Sequence, residues 1–166
     1  MTYGDVTFDR VPVDDAARED PDAPTREEIL DYWPERFGIP REVFEPYTFW
    51  ERGNGKIWLF RGEAPDTVPI QGLGMTFLRT RQEFWKPTTD AVQRFGDRAS
   101  ENVLHLDRDA ARAFVAGEDQ EIEWDGDWGY LIVTHDIAGT TEPLGVGLYT
   151  YGELKTQVAK GRQREL

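Results

Sequence analysis

The second half of the chain contains short apolar segments separated by turns, and this pattern restricts the fold more than any other feature. The segments Gly129 to His135, Leu144 to Tyr149 and Leu154 to Val158 are continuously apolar or alternate between apolar and polar residues. Both patterns are typical of β-strands. The stretches between them, Ala138 to Pro143 and Thr150 to Glu153, contain turn-forming residues and are predicted to be turns.

A helix is predicted before these strands, from Asp107 to Ala116. Asp107 is a favourable N-cap residue, Gly117 lies just beyond the end, and Ala110, Ala111 and Phe114 share one face. Strands are predicted on both sides of the helix, at Asn102 to Leu106 and Gln120 to Trp124. One short helix among several strands is typical of a small β-barrel with a helix across one end.

The first half carries a helix signal and a hairpin signal. The capping box Thr25-Arg-Glu-Glu28 predicts a helix from about Arg26 to Trp33, which Pro34 and the Gly38-Ile-Pro40 stretch are expected to stop. Gly53-Asn54-Gly55 lies between two aromatic-rich runs, Tyr47 to Glu51 and Lys56 to Arg61, and predicts a hairpin. Its aromatic side chains are expected to form a core, with Tyr47 and Phe49 on one face and Trp50 on the other.

These elements together predict an α+β protein with two domains. Residues 1–85 form a small α/β pre-domain that begins with an acidic N-terminal segment, and residues 86–166 form the barrel. No apolar run approaches the length of a membrane helix, and the first ten residues lack the pattern of a signal peptide. We therefore expect a cytoplasmic protein without a membrane partner.

The chain is strongly acidic, with 32 acidic against 19 basic residues and a formal net charge of −13. An acidic surface for a basic partner, an acidic disordered tail and adaptation to a salt-rich cytoplasm each account for this charge. The acids are spread along the chain and lysines are rare, which favours salt adaptation. Since the screening length falls to roughly 3 Å at 1 M salt, local contacts rather than net charge would then decide binding.

The sequence lacks the residues that several kinds of catalytic and metal chemistry require. The sequence has no cysteine, so thiolate nucleophiles and thiolate metal sites are excluded. The histidines are His105 and His135, which lie far apart in the sequence and are fewer than a zinc site needs. We therefore predict no metal, no cofactor and no catalytic residue.

Two stretches carry a family resemblance. They are Lys86-Pro-Thr-Thr-Asp-Ala-Val-Gln-Arg-Phe-Gly96 and the run from Gly129-Tyr-Leu-Ile-Val through Pro143-Leu-Gly-Val-Gly-Leu to Lys160-Gly-Arg162, with Asn102-Val-Leu-His-Leu106 and Phe114-Val-Ala-Gly-Glu118 between them. In this order they resemble the non-catalytic C-terminal region of Nop/Sun-type RNA cytosine methyltransferases, which also occurs as a stand-alone archaeal protein. The resemblance covers roughly residues 25–166 and implies a PUA domain after a small pre-domain. The family's C-terminal motif differs here at Ala159 and Gln163.

The resemblance implies binding of structured rRNA or tRNA, on a surface that includes Asp107 to Gly117 and the C-terminal strand. The catalytic domain and catalytic cysteine of these methyltransferases have no counterpart in this sequence, so we expect binding without catalysis. Ribosome biogenesis or RNA modification is the expected setting, and a separate RNA methyltransferase is a candidate partner.

Candidate RNA-binding residues come from two basic clusters. Near the C-terminus, four bases fall within ten residues of an otherwise acidic chain, and phosphates are their natural ligands. Near the domain boundary, bases adjoin Phe84 and Trp85, a composition used to stack on and contact RNA. The candidates are Arg79, Arg81, Trp85, Lys86, Lys155, Lys160, Arg162 and Arg164.

Two other classes of function remain open from the sequence. An acidic adaptor would use its carboxylates to bind a basic ribosomal or RNA-modification protein. A metal-independent enzyme is less favoured, since no nucleophile–base set is recognisable. Loss of RNA binding on reversing the C-terminal charges separates the first alternative from an RNA-binding protein.

Overall fold

A computed structural model of the chain describes residues 8–62, 67–68 and 74–159, and it divides into two compact units. The first is Met1–Lys86 and the second is Pro87–Leu166. Both combine a β-sheet with few helices, so the chain is a mixed α and β protein. Among the described residues, no helix is long and apolar enough to cross a membrane.

The first unit is built on a six-stranded sheet in the order β4-β1-β2-β3-β5-β6. Its elements are β1 (Phe8–Arg10), α1 (Arg26–Phe37), β2 (Tyr47–Arg52), β3 (Lys56–Arg61), β4 (Thr67–Val68), β5 (Met75–Arg79) and β6 (Lys86–Pro87). β2 and β3 form the predicted antiparallel hairpin. β4 pairs with β1 in the antiparallel sense.

Aromatic side chains fill both faces of this sheet. Phe49 stacks on Phe77 at 5.5 Å between ring centroids, and the Trp33 ring of α1 lies 4.9 Å from Phe77. On the other face Trp50 clusters with Phe8. The predicted division of the hairpin aromatics between two faces is confirmed, and their role is to form the core.

Helix α1 begins where the sequence predicted and ends later. The Thr25 hydroxyl accepts a hydrogen bond from the Glu28 N–H at 3.1 Å, and the Glu28 carboxylate accepts from the Thr25 N–H at 2.9 Å. The prediction that Pro34 stops the helix is wrong, because α1 continues to Phe37 and ends at Gly38. The extra turn buries Phe37 completely, which offsets the hydrogen bond that proline cannot donate.

The second unit contains a five-stranded sheet in the order β7-β9-β10-β11-β8. Its elements are α2 (Thr89–Phe95), β7 (Val103–His105), α3 (Arg108–Val115), β8 (Gln120–Glu121), β9 (Gly129–Ile137), β10 (Thr140–Thr150) and β11 (Glu153–Thr156). β7 is parallel to β9 and the other pairs are antiparallel. This order has two ends, β7 and β8, and does not by itself show a closed barrel.

Two tight turns join the long strands of this unit. Ala138 and Gly139 connect β9 to β10, and Tyr151 and Gly152 connect β10 to β11, all with positive φ as two-residue hairpins require. The prediction of a turn extending to Pro143 is wrong, because Pro143 lies within β10. The strand register shifts between Pro143 and Gly145, and a bulge of this kind accommodates a residue that has no N–H to donate.

Candidate functional site

A groove of about 560 Å³ lies beside α3 and the β9–β10 hairpin, entirely within the second unit. It combines positive charge, an imidazole and apolar surface. Its lining residues are Arg108, Arg112, Val115, His135, Asp136, Ile137 and Leu144.

Two arginines of α3 supply the positive charge. The Asp107 carboxylate accepts a hydrogen bond from the Ala110 N–H at 2.9 Å and starts the helix. Phe114 is fully buried on the inner face of α3. Arg108 and Arg112 are four residues apart, so they share the outer face and are exposed to solvent. Within the described part of the chain, neither guanidinium has an ion-pair partner, and each retains its hydrogen-bond donors for a ligand.

His135 is held in a fixed orientation at the groove. Its Nδ1 lies 2.8 Å from the Leu106 carbonyl oxygen. Since a carbonyl oxygen only accepts, Nδ1 carries the hydrogen, and Nε2 is the ring nitrogen left for other contacts. The His105 ring stacks beside it, with 6.2 Å between ring centroids.

Asp136 places one negative charge at the same groove. The Thr141 hydroxyl donates a hydrogen bond to its carboxylate at 2.6 Å. This bond, with the nearby His105 and His135, lowers the pKa of Asp136, while reduced hydration acts in the opposite direction. The carboxyl group therefore stays ionised near neutral pH and opposes the arginines.

Apolar surface adjoins these charges. Ile137 is 50% exposed, and Val115 and Leu144 are half-buried. An anion with an attached flat, apolar group satisfies both parts of the groove, because guanidinium groups form forked hydrogen bonds with oxyanions while the aliphatic side chains contact the flat group.

The histidines are closer together than their sequence separation suggested. β7 and β9 pair in parallel with His105 opposite Thr134, which brings the two imidazoles together. No group of three His, Cys, Asp or Glu residues in the described ranges is arranged to hold a metal ion. The His105 Nδ1 lies 3.0 Å from the Thr134 hydroxyl, so the pair is integrated into the sheet.

The predicted C-terminal cluster is described only in part. Lys155 lies on β11 and is exposed, with its Nζ 4.0 Å from a Glu153 carboxylate oxygen. Lys160, Arg162 and Arg164 lie outside the described residues.

The predicted boundary cluster lies in the first unit, and part of it is committed to internal contacts. Arg81 contacts Asp20 at 3.0 Å and Asp22 at 3.7 Å. These two carboxylates already neutralise the Arg81 guanidinium. The half-buried Trp85 accepts a hydrogen bond on its backbone carbonyl oxygen from the Tyr32 hydroxyl at 3.2 Å.

The other two bases of that cluster are close neighbours. Arg79 is exposed at the end of β5. Burial, and then the charge of Arg79, lowers the pKa of Lys86 from its usual value. Lys86 is therefore half-buried beside a like charge, and its ammonium group is less accessible to a ligand than its sequence position indicated.

The family resemblance implied that α3 belongs to the binding surface, but Arg108, Arg112 and His135 were not among the predicted site residues. The four-residue spacing of the two arginines was a usable signal once the helix was predicted. The placement of His135 had no local signal, because it depends on the long-range pairing of β7 with β9.

The groove lies in a stretch of the chain that is similar to a known domain. Residues 101–164 match the family model "Methyltransferase RsmF PUA domain", and these residues contain α3 and the strands from β8 to β11. Residues 3–74 match a second model, "Family of unknown function (DUF7122)". The C-terminal part of the chain is thus similar to the PUA-like region of Sun-type methyltransferases.

A curated relative agrees with this assignment. The chain is 27% identical over 115 residues to the ribosomal RNA small subunit methyltransferase F of Aeromonas salmonicida (strain A449). The match covers 68% of this chain and 23% of that methyltransferase, so the chain spans less than a quarter of the relative's length.

Proposed function

We propose that the chain binds structured RNA through the groove beside α3 and does not itself catalyse a reaction. The observation that carries the proposal is the uncommitted pair Arg108 and Arg112, which lies inside the stretch similar to a PUA domain. Phosphate oxygens suit the two guanidinium groups, and a ribose or base suits the apolar side of the groove.

The ligand proposed is rRNA or tRNA, bound during ribosome biogenesis or RNA modification. The similarity to a ribosomal RNA methyltransferase supports this choice. We place the protein in a salt-rich archaeal cytoplasm, with a PUA-like barrel formed by the second unit, and a separate methyltransferase as a partner. The sequence has no cysteine to attack a cytosine ring, which supports a role in binding alone.

The test is RNA affinity across a range of salt concentrations. Labelled RNA hairpins and unfractionated tRNA are titrated with the full chain and with Arg108→Gln/Arg112→Gln, and binding is followed by fluorescence anisotropy. The double substitution is expected to weaken binding and to reduce the slope of log affinity against log salt by about 2, one for each lost phosphate contact.

Arg94→Gln/Arg98→Gln is the matched control. These two arginines are also exposed, four residues apart and in the same unit, but they lie at α2 and the turn after it. The control is expected to retain nearly full affinity. If both double variants lost RNA affinity equally, the loss would be an effect of net charge, and the groove would not be the binding site.

A further inference from the structure

A second groove in the same unit has the opposite character. It has a volume of about 860 Å³ and adjoins β8 and the β10–β11 turn. Carboxylates and aromatic rings line it, chiefly Glu121, Glu123, Trp124, Tyr149 and Tyr151. It shares no lining residue with the groove beside α3.

The wall of this acidic groove is held in place by hydrogen bonds. The Tyr149 hydroxyl donates to the Ile122 carbonyl oxygen at 2.8 Å, and the Trp124 indole N–H donates to the Asp127 carbonyl oxygen at 3.1 Å. At Gly126 a Cβ atom would lie 2.7 Å from the Trp124 ring, so only glycine permits this packing. The surface is therefore formed before any ligand arrives, which lowers the entropy cost of binding.

Two aromatic side chains at this end of the unit are exposed. Tyr151 is 85% exposed and Trp128 is 47% exposed, with their ring centroids 4.5 Å apart. Tyr151 also has φ of 51°, a backbone conformation that suits glycine or asparagine better than tyrosine. Core packing does not explain the exposure of these two rings, and they are available for an external contact.

Four exposed carboxylates belong to the same stretch of chain: Glu121 and Glu123 line the groove together with Tyr151, and Asp125 and Asp127 shortly precede Trp128 in the sequence. None of them has an ion-pair partner in the part of the chain that the structure describes. Carboxylates beside aromatic faces attract cations, and guanidinium groups also stack on the rings. The same carboxylates repel phosphates, so this surface favours a basic protein segment over RNA.

We propose that the acidic groove binds an arginine-containing basic segment of a partner protein. The carboxylates pair with guanidinium groups, and Trp128 and Tyr151 stack on them. The site is independent of the proposed RNA groove.

The probe is a fluorescent peptide that alternates arginine with serine, and its control is the same peptide with citrulline in place of arginine. Citrulline keeps the shape and loses the charge. Binding to the full chain is measured by anisotropy. The arginine peptide is expected to bind, and Trp128→Ala/Tyr151→Ala is expected to weaken it about three- to tenfold.

A second variant separates specific contacts from net charge. Glu121→Gln/Glu123→Gln is compared with Glu42→Gln/Glu45→Gln, which removes the same charge from exposed positions in the first unit. Only the first pair is expected to weaken binding, by about threefold or more at low salt. Equal binding of the two peptides, or equal effects of the two pairs, overturns the proposal.

Two further variants of the full chain address competing explanations. Lys160→Gln/Arg162→Gln/Arg164→Gln removes three basic residues near the C-terminus of the chain itself. If this raises peptide affinity tenfold or more, the groove is occupied by the chain itself and the partner proposal fails. Arg108→Gln/Arg112→Gln is expected to bind the peptide as the wild type does, whatever its RNA affinity.

Discussion

Two arginines of the first unit, Arg18 and Arg41, have different neighbours from the two arginines of α3 in the second unit. In the first unit Arg18 pairs with Asp15 and Glu28, and Arg41 pairs with Glu27 and Asp31. In the second unit the α3 arginines have no such partners among the described residues. The composition of a basic cluster therefore does not identify a binding site, because pairing within the fold decides which cations remain available.

The largest effect is expected in the aromatic core of the first unit. Trp33 is fully buried among Phe37, Phe44 and Phe77. Trp33→Ala is expected to lower the free energy of unfolding by about 3–5 kcal/mol, measured by chemical denaturation and circular dichroism. Trp128→Ala, which changes a half-exposed ring of the second unit, is the control and is expected to stay within about 0.5 kcal/mol of the wild type.

The same variant also tests whether the first unit takes part in RNA binding. Under conditions in which Trp33→Ala remains folded, its RNA affinity is expected to match that of the wild type. A large loss of RNA binding in the folded variant would place part of the RNA-binding surface in the first unit, contrary to the comparison.

The C-terminal bases are expected to produce the next largest effect. Lys160→Glu/Arg162→Glu replaces two positive charges by two negative ones in a segment that the sequence assigns to RNA contact. A loss of RNA affinity of about tenfold or more is expected in the salt concentration of the cell. Unchanged binding to total cellular RNA would remove this run from the binding surface and leave the α3 groove as the whole site.

Arg108 and Arg81 test the comparison directly. Arg108→Gln is expected to weaken RNA binding roughly tenfold, the order expected for a charge-assisted hydrogen bond. Arg81→Gln is expected to change affinity less than about twofold, because Asp20 and Asp22 already neutralise that guanidinium. Anisotropy titrations on one RNA hairpin compare the two, and a stronger effect at Arg81 would reverse the assignment.

The sequence predicted those parts of the fold that depend on neighbouring residues. The capping box at Thr25, the N-cap at Asp107 and the hairpin around Gly53–Gly55 are local signals, and the structure contains all three elements. The helix assigned to the binding surface was likewise predicted from its cap and its apolar face.

The errors occur where distant packing outweighs a local preference. Pro34 was predicted to end a helix, yet burial of Phe37 sustains one more turn. Pro143 was predicted to lie in a turn, yet a register shift accommodates it within β10. The groove required both kinds of information, since α3 supplies its arginines locally and the β7–β9 pairing positions His135 from far along the chain.

Asp136 provides the smallest expected effect on RNA binding. Asp136→Asn removes the one carboxylate among the described residues that line the α3 groove, and it is expected to strengthen RNA binding about threefold at low salt, less as salt increases. Because the pKa of Asp136 is lowered, the wild-type carboxyl group is ionised at both pH 5 and pH 8. The ratio of the RNA affinity of Asp136→Asn to that of the wild type is therefore expected to be the same at both pH values.

The thermal stability of Asp136→Asn is a second, independent measurement, and it is expected to fall while RNA affinity rises. A carboxyl group with a lowered pKa in the folded state stabilises the fold above its unfolded pKa, and this contribution is lost as the pH falls through the folded value. Asp136→Asn is therefore expected to have a slightly lower melting temperature than the wild type at pH 7, with the difference narrowing in acid below about pH 4.

Stronger RNA binding together with a lower melting temperature identifies Asp136 as a residue that orders its surroundings through Thr141 and limits the attraction of the groove for anions. If RNA binding instead weakens while stability falls, the carboxylate acts mainly by orienting the His105–His135 pair, and the direct electrostatic account of the groove fails.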